Sequence, residues 1–166
     1  MANTIILRRD VEDHVRKQLQ EKYGIVFSSQ VLRLRTGGEH EFDAVSADQT
    51  IVASIKSSSG LTSGNNIPDG KIKNSIAELY YLSLVEATLR LLVLTTPSFY
   101  QLFTSRMADK VAEGIQIELI PLTQELQKLV NEVVAQASKE VSPEKKEQAV
   151  AVEIENEAEE SGQFPH

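Results

Sequence analysis

Two neighbouring segments decide the fold of this chain: Glu39-His40-Glu41-Phe42-Asp43-Ala44-Val45-Ser46 and Ile51-Val52-Ala53-Ser54-Ile55-Lys56. Both are rich in β-prone residues, and the polar stretch between them predicts a β-hairpin with a two-residue loop at Asp48-Gln49. In that register Asp43 faces Ser54 and Glu41 faces Lys56. Because side chains alternate between the two faces of a sheet, we expect these four side chains to form a polar patch on one face. The other face should be core, formed by Phe42, Ala44, Ile51, Ala53 and Ile55.

The polar patch has the composition of a site for a hard metal ion and a phosphate. It combines carboxylates, which hard cations prefer as ligands, with a lysine that can face a negative charge. Val45 and Val52 fall on the same face and indicate that the patch is partly covered. A cross-strand pair between Glu41 and Lys56 on a solvated face would be the simpler reading, and such pairs contribute little stability.

Apolar patterns outside the hairpin predict alternating helices and strands. The predicted helices cover residues 9–22, 72–86, 97–113 and 122–137, and the remaining predicted strands cover 25–35, 89–95 and 115–120. The continuous apolar run at 89–95 is typical of an interior strand. A polar loop over residues 57–71 joins the hairpin to the second helix. The resulting order is α-β-β-β-α-β-α-β-α, which predicts one α/β domain.

Charge and composition divide the chain and exclude several classes of function. Residues 139–166 hold three lysines and eight glutamates, a net charge of −5, which leaves −2 of the total of −7 for residues 1–138. We expect 1–138 to form the α/β domain and 139–166 to be an acidic tail, disordered or loosely helical. The chain has no cysteine, so a disulfide framework, a zinc–thiolate site and a cysteine nucleophile are excluded. A nearly neutral domain also lacks the basic footprint usual for non-specific DNA binding.

The sequence favours a cytoplasmic protein without a membrane partner. Its apolar N-terminal run is too short for a signal peptide, and no apolar stretch approaches the ~20 residues of a membrane helix. A nucleotide P-loop is rejected because Ile72 stands where Ser or Thr is required after Gly70-Lys71. The histidines have no ligand spacing to one another, and alternation should turn His40 away from Glu41, so we expect His40 to lie outside a metal cluster.

The placement of Asp43 on one strand and Ser54-Ile55-Lys56 on the next resembles the motif of the restriction-endonuclease-like superfamily, the PD-(D/E)XK nucleases. Asp43 matches the Asp and Lys56 the Lys, whereas Ser54 replaces the middle acid and Phe42 the Pro. The resemblance implies a restriction-endonuclease-like core (αβββαβ) over roughly residues 9–96. This fold class is α/β, with a mixed central sheet flanked by helices and extra C-terminal α/β elements.

The same resemblance implies a DNA endonuclease that depends on Mg²⁺ (or Mn²⁺) and hydrolyses phosphodiester bonds. Asp43 would be a catalytic metal ligand, Glu41 a supporting one, and Lys56 the catalytic lysine. Some restriction enzymes with Ser in the middle position supply the missing acid from the following helix, which makes Glu78 the expected third catalytic residue and metal ligand. DNA would be the partner, and a homodimer is the arrangement in which two such sites can cut two strands.

Other interpretations stay open at the level of sequence. Glu78 could be an ordinary half-exposed helix position, and Asp69 is a second candidate for the missing acid, although Asp is common in a Pro-Asp-Gly turn. Several nucleases of the resembled superfamily carry a carboxylate on the first helix that points at the site, and Glu12 borders the apolar stripe of that helix. The simpler interpretation is that Glu12 lies in a first turn and favours the helix dipole. The rival function is a catalytically inactive nuclease-fold domain that acts as a binding or assembly module. Ser54, the nearly neutral charge and the scarcity of aromatic residues favour this rival.

Overall fold

A computed structural model describes residues 2–57 and 69–140 of the chain. It contains the predicted order of elements: α1 (Ala2–Tyr23), β1 (Phe27–Arg33), β2 (Glu39–Ser46), β3 (Ile51–Lys56), α2 (Asp69–Leu84), β4 (Leu89–Leu94), α3 (Pro97–Arg106), β5 (Ile115–Leu119) and α4 (Gln124–Glu140). Most of the predicted 57–71 loop and the tail from residue 141 lie outside the described residues. None of the helices in the described ranges is long and apolar enough to cross a membrane.

The five strands form one mixed sheet in the order β1-β2-β3-β4-β5. β2 is antiparallel to both of its neighbours, β1 and β3, whereas β3, β4 and β5 run parallel to one another. The α/β class with a mixed sheet flanked by helices is therefore confirmed. The compact unit that holds the sheet ends at Gln127, and the rest of α4 belongs to a second unit that begins at Lys128.

Each face of the sheet carries its own apolar core. On the first face, α2 and α3 pack against residues such as Val52 and Leu92. On the second face, Val15 and Leu19 of α1 pack against Ala53, Ile55, Leu91 and Val93. The four-residue spacing of Val15 and Leu19 places both on one side of α1, which is why this helix can cover a sheet. The buried run Leu91–Leu94 confirms that β4 is an interior strand.

The β2–β3 hairpin keeps the predicted register but has a longer loop. Ala44 pairs with Ala53 and Val45 with Val52, as expected. The two-residue loop was wrong, because residues 47–50 all lie outside the strands. Side-chain hydrogen bonds replace the last pair of backbone hydrogen bonds before the loop. Ser46 Oγ accepts from the Ile51 N–H at 2.9 Å and donates to Asp48 Oδ1 at 2.8 Å. Polar side chains that bond nearby backbone groups often compete with ladder pairing in this way.

Several helix boundaries differ from the sequence prediction. α1 begins seven residues before the predicted start at residue 9, and α3 ends at Arg106 instead of 113. The chain leaves α3 through Met107, whose N–H donates to Phe103 O, and Asp109 then adopts a left-handed φ of 60° that a helix cannot contain. α2 begins at Asp69, so this residue lies in the first helical turn.

Candidate active site

A β-bulge in β2 shapes the candidate site. Ser28 of β1 pairs with Val45, and Gln30 pairs with Phe42, so Ser29 alone lies opposite both Asp43 and Ala44. The extra residue shifts the alternation of β2 from that point toward its N-terminus. Phe42 and Val45 consequently pack in the same core cluster, whereas Ala44 packs in the cluster on the other face. The prediction that Phe42 shares a face with Ala44 was wrong for this reason.

Glu78 of α2 meets two residues of β3 directly. Its Oε2 accepts a hydrogen bond from Ser54 Oγ at 3.0 Å, and its Oε1 lies 3.2 Å from Lys56 Nζ. Ser54 and Lys56 share this face because they are two residues apart on one strand. α2 is held in register by its buried side chains Ile72, Ser75, Leu79 and Leu82. The structure thus brings together Lys56, Glu78 and the position of the missing acid, Ser54.

Asp43 is the second carboxylate near Lys56 and sits at the bulge. Its Oδ2 accepts a hydrogen bond from the Ile55 N–H at 2.7 Å. Burial raises the pKa of the Asp43 carboxyl, and the negative charges of Glu12 and Glu78 add to that effect. The Ile55 N–H and the positive charge of Lys56 act in the opposite direction without cancelling it. A buried carboxyl with a raised pKa among like charges is a frequent sign of a functional site.

The bulge also brings His40 to the site. His40 Nε2 lies 3.4 Å from Glu78 Oε2. The His40 ring stacks on Tyr81 of α2, with centroids 3.9 Å apart and planes at 9°, and meets the edge of Phe42. The sequence placed Glu41, and not His40, on the face that holds Ser54 and Lys56. That placement was wrong, because strict alternation does not survive the bulge. No residue type in β2 indicates a bulge, so the contact between His40 and Glu78 could not be predicted from the sequence.

Two other candidate carboxylates, Glu41 and Asp69, have different surroundings. Glu41 pairs with Val31 in the sheet and accepts a hydrogen bond from Ser29 Oγ at 2.9 Å. The expected pair between Glu41 and Lys56 is thus replaced, in the described residues, by the pair between Glu78 and Lys56, because the bulge turns His40 rather than Glu41 toward α2. Asp69 lies in the first turn of α2.

Glu12 of α1 adds a further negative charge near Asp43. Its two oxygens bind Arg8 Nε at 2.8 Å and Arg16 Nη2 at 3.0 Å. Arg16 in turn donates from Nε to the main-chain oxygen of Asp43 at 2.8 Å. This hydrogen bond connects α1 to the bulge. Because α1 begins at Ala2, Glu12 lies far from the first turn, so the interpretation that it favours the dipole of a first turn was wrong. It instead binds Arg8 and Arg16 near Asp43.

The donor chemistry of the site fits a hard divalent cation. Asp43 and Glu78 supply carboxylate oxygens from a strand and a helix, and their mutual repulsion would be relieved by a cation between them. Within the described ranges, no group of three or more acidic or histidine side chains is arranged as a complete metal site. A cation held by Asp43 and Glu78 would have to complete its coordination with water or with a phosphate.

Comparisons of the chain with protein-family models, with curated proteins and with solved structures gave no significant match.

Proposed function

We propose that this protein is a Mg²⁺-dependent nuclease that hydrolyses phosphodiester bonds in DNA. The observation that carries the proposal is the position of Glu78, which places a carboxylate from α2 against Ser54 and Lys56. This is the arrangement implied by the resemblance to PD-(D/E)XK nucleases with Ser in the acidic position. The order α1-β1-β2-β3-α2-β4 supports a restriction-endonuclease-like core around this site.

Each residue of the site has a distinct role in the proposed reaction. Asp43 and Glu78 would hold the cation, which when bound would neutralise phosphate charge and lower the pKa of a water molecule. Lys56 is the last residue of β3, and about a third of its side chain is exposed, so its ammonium group is accessible to a phosphate of bound DNA. There it would stabilise the negative charge that grows on the phosphate in the transition state. Glu41 is not included in this ligand set, because the bulge places His40, and not Glu41, on the face that holds Glu78.

The low overall charge of the domain is compatible with this function if DNA is bound locally. Phosphate contacts depend on the cations that face the backbone and not on the sum over the whole surface. Near Asp43 the structure places Lys56 and Arg8, and their charges act on this carboxylate. A bound metal ion would add positive charge at the same place.

The experiment that tests the proposal is cleavage of DNA by the purified full chain in Mg²⁺ or Mn²⁺. We expect Lys56→Ala to lower the rate by about a hundredfold or more, as removal of one charge-stabilising group in an active site usually does. Lys73→Ala is the matched control, since Lys73 is an exposed lysine of α2 outside the site. Equal cleavage by wild type and Lys56→Ala would overturn the assignment of Lys56.

One observation favours the second candidate, a non-catalytic binding or assembly module of the same fold. Both oxygens of Glu78 are already in contact with protein groups, Oε1 with Lys56 and Oε2 with Ser54 and His40. Such a closed polar network can serve stability and specificity alone. Titration of Mn²⁺ into wild type and Asp43→Asn discriminates the candidates, because only the nuclease requires a metal affinity that this substitution weakens.

A further inference from the structure

Helix α1 brings a second exposed cation to Asp43. Arg8 Nε binds Glu12 Oε1 at 2.8 Å, and Arg8 Nη2 lies 4.0 Å from Asp43 Oδ1. The side chain of Arg8 is nevertheless 77% exposed, whereas that of Asp43 is only 19% exposed. The guanidinium group therefore lies at the solvent boundary of the site.

Arg8 differs in this respect from its neighbour Arg16. Arg16 is largely buried and uses Nε, Nη1 and Nη2 in bonds to Asp43 O, Asp13 and Glu12, so its donors are committed to the fold. Arg8 is fixed to Glu12 through its Nε, and its Nη groups extend toward Asp43 and solvent. Anchoring one edge of a guanidinium in this way orders the side chain and leaves the other edge for a ligand.

The two cations near Asp43 come from opposite sides of the sheet. Lys56 is paired with α2, which packs on one face, and Arg8 belongs to α1, which packs on the other. A nucleic-acid backbone that passes over Asp43 would meet a positive charge on each side. A guanidinium also matches the geometry of a phosphate, to which it can donate two parallel hydrogen bonds.

We propose that Arg8 binds a phosphate group of the nucleic-acid backbone at the site that contains Asp43 and Lys56. The inference rests on the proposed function, because it assigns the ligand of that site. Arg8 would act in binding, next to the scissile phosphate, while Asp43, Glu78 and Lys56 carry the chemistry.

Binding of a labelled DNA duplex to the full chain, measured in EDTA over a series of salt concentrations, tests this role without cleavage. We expect Arg8→Ala to weaken binding at low salt by about fivefold or more and to reduce the slope of log affinity against log salt by about one. Arg8→Lys should keep most of the slope, because it retains the charge. Arg9→Ala is the matched control. Arg9 is an exposed arginine next to Arg8 on α1, and successive residues of a helix point about 100° apart around its axis.

Titration of Mn²⁺ without DNA separates Arg8 from the metal-binding residues. Since Arg8 is a positive charge close to Asp43, Arg8→Ala should bind Mn²⁺ at least as tightly as wild type. Weaker Mn²⁺ binding by this variant would overturn the proposal, because Arg8 would then act by positioning Asp43.

Three further outcomes would also overturn it. They are an unchanged salt slope in Arg8→Ala, an equal loss in Arg8→Ala and Arg9→Ala, and no DNA binding by wild type at low salt. The proposed nuclease activity has a separate outcome. If wild type binds DNA with an Arg8-dependent slope but does not cut it in Mg²⁺ or Mn²⁺, Arg8 keeps its role and the protein is the non-catalytic module.

Discussion

Asp43 shows how the fold accommodates a group that burial disfavours. Burial disfavours its ionised form, and Glu12 and Glu78 add repulsion, so its pKa is raised above the ordinary value despite the Ile55 N–H and Lys56. A carboxyl whose folded-state pKa lies above the unfolded value stabilises the fold when protonated. That contribution is complete below the unfolded pKa and is lost as pH rises through the folded pKa.

Replacement of this carboxyl should therefore stabilise the protein at neutral pH. Asp43→Asn keeps an oxygen that can accept from the Ile55 N–H but removes the charge, so we expect its free energy of unfolding near neutral pH to exceed that of wild type. The difference should shrink as pH falls toward the ordinary carboxyl range of about 4. Urea denaturation of both proteins across this pH range measures the effect.

Asp10→Asn is the matched control for this series, since Asp10 is exposed on α1. It should change stability little at any pH. A variant Asp43→Asn that is less stable than wild type near neutral pH would contradict the electrostatic account of Asp43. The hydrogen bond to Ile55 would then outweigh the relief of buried charge.

At the scale of elements, the packing of α2 determines whether Glu78 reaches β3. Leu82 is fully buried on the core side of this helix, whereas Ile76 on another side is 41% exposed. We expect Leu82→Ala to lower the free energy of unfolding by about 2–5 kcal/mol, the usual range for a buried leucine. Ile76→Ala, the control on the same helix, should cost less than about 1 kcal/mol.

Chemical denaturation of the two variants measures this difference. A cost for Leu82→Ala no larger than that for Ile76→Ala would mean that α2 does not pack on the sheet through this side. Glu78 would then have no fixed position against Ser54 and Lys56.

Periodicity was sufficient to predict the order of the helices and strands within residues 2–57 and 69–140. Burial produces recognisable apolar patterns in a sequence. The apolar run of β4 and the four-residue spacing of Val15 and Leu19 are two such patterns, and these residues are buried as predicted. The sequence also placed Asp43 and Lys56 on adjacent strands, and it named Glu78 as a residue of the following helix. These features depend on local pattern and on register, which the hairpin residues specify.

Features that depend on one residue of irregular backbone could not be predicted. Because of the bulge opposite Ser29, His40 rather than Glu41 lies on the face of the sheet that α2 covers. No residue type in β2 indicates this bulge. The prediction of a two-residue loop was wrong, because the hydrogen bonds of Ser46 and Asp48 replace the backbone pairing next to residues 47–50. Pattern rules assume regular strands, so they fail where side chains bond to the backbone.

The mixed sheet explains where the candidate site lies in the molecule. Lys56 and Leu94 are the last residues of the parallel strands β3 and β4 and are paired with each other. In open α/β sheets, ligands bind outside the carboxyl ends of parallel strands. Here α1 reaches that region from one face through Arg8, and α2 reaches it from the other through Glu78.

If Glu78 of α2 supplies the acid that Ser54 lacks, moving that acid back to the strand should restore cleavage that the loss of Glu78 removes. Ser54 Oγ lies 3.0 Å from Glu78 Oε2, so a glutamate at position 54 can place its carboxylate where that of Glu78 lies once Glu78 is removed. The measurement is the DNA cleavage rate in Mg²⁺ or Mn²⁺ of wild type, Glu78→Ala and the double variant Ser54→Glu with Glu78→Ala. We predict that Glu78→Ala is slower than wild type by about a hundredfold or more and that the double variant is faster than Glu78→Ala by roughly tenfold or more. Wild-type rates in Glu78→Ala, or a folded double variant no faster than Glu78→Ala, would show that Glu78 does not supply the missing acid.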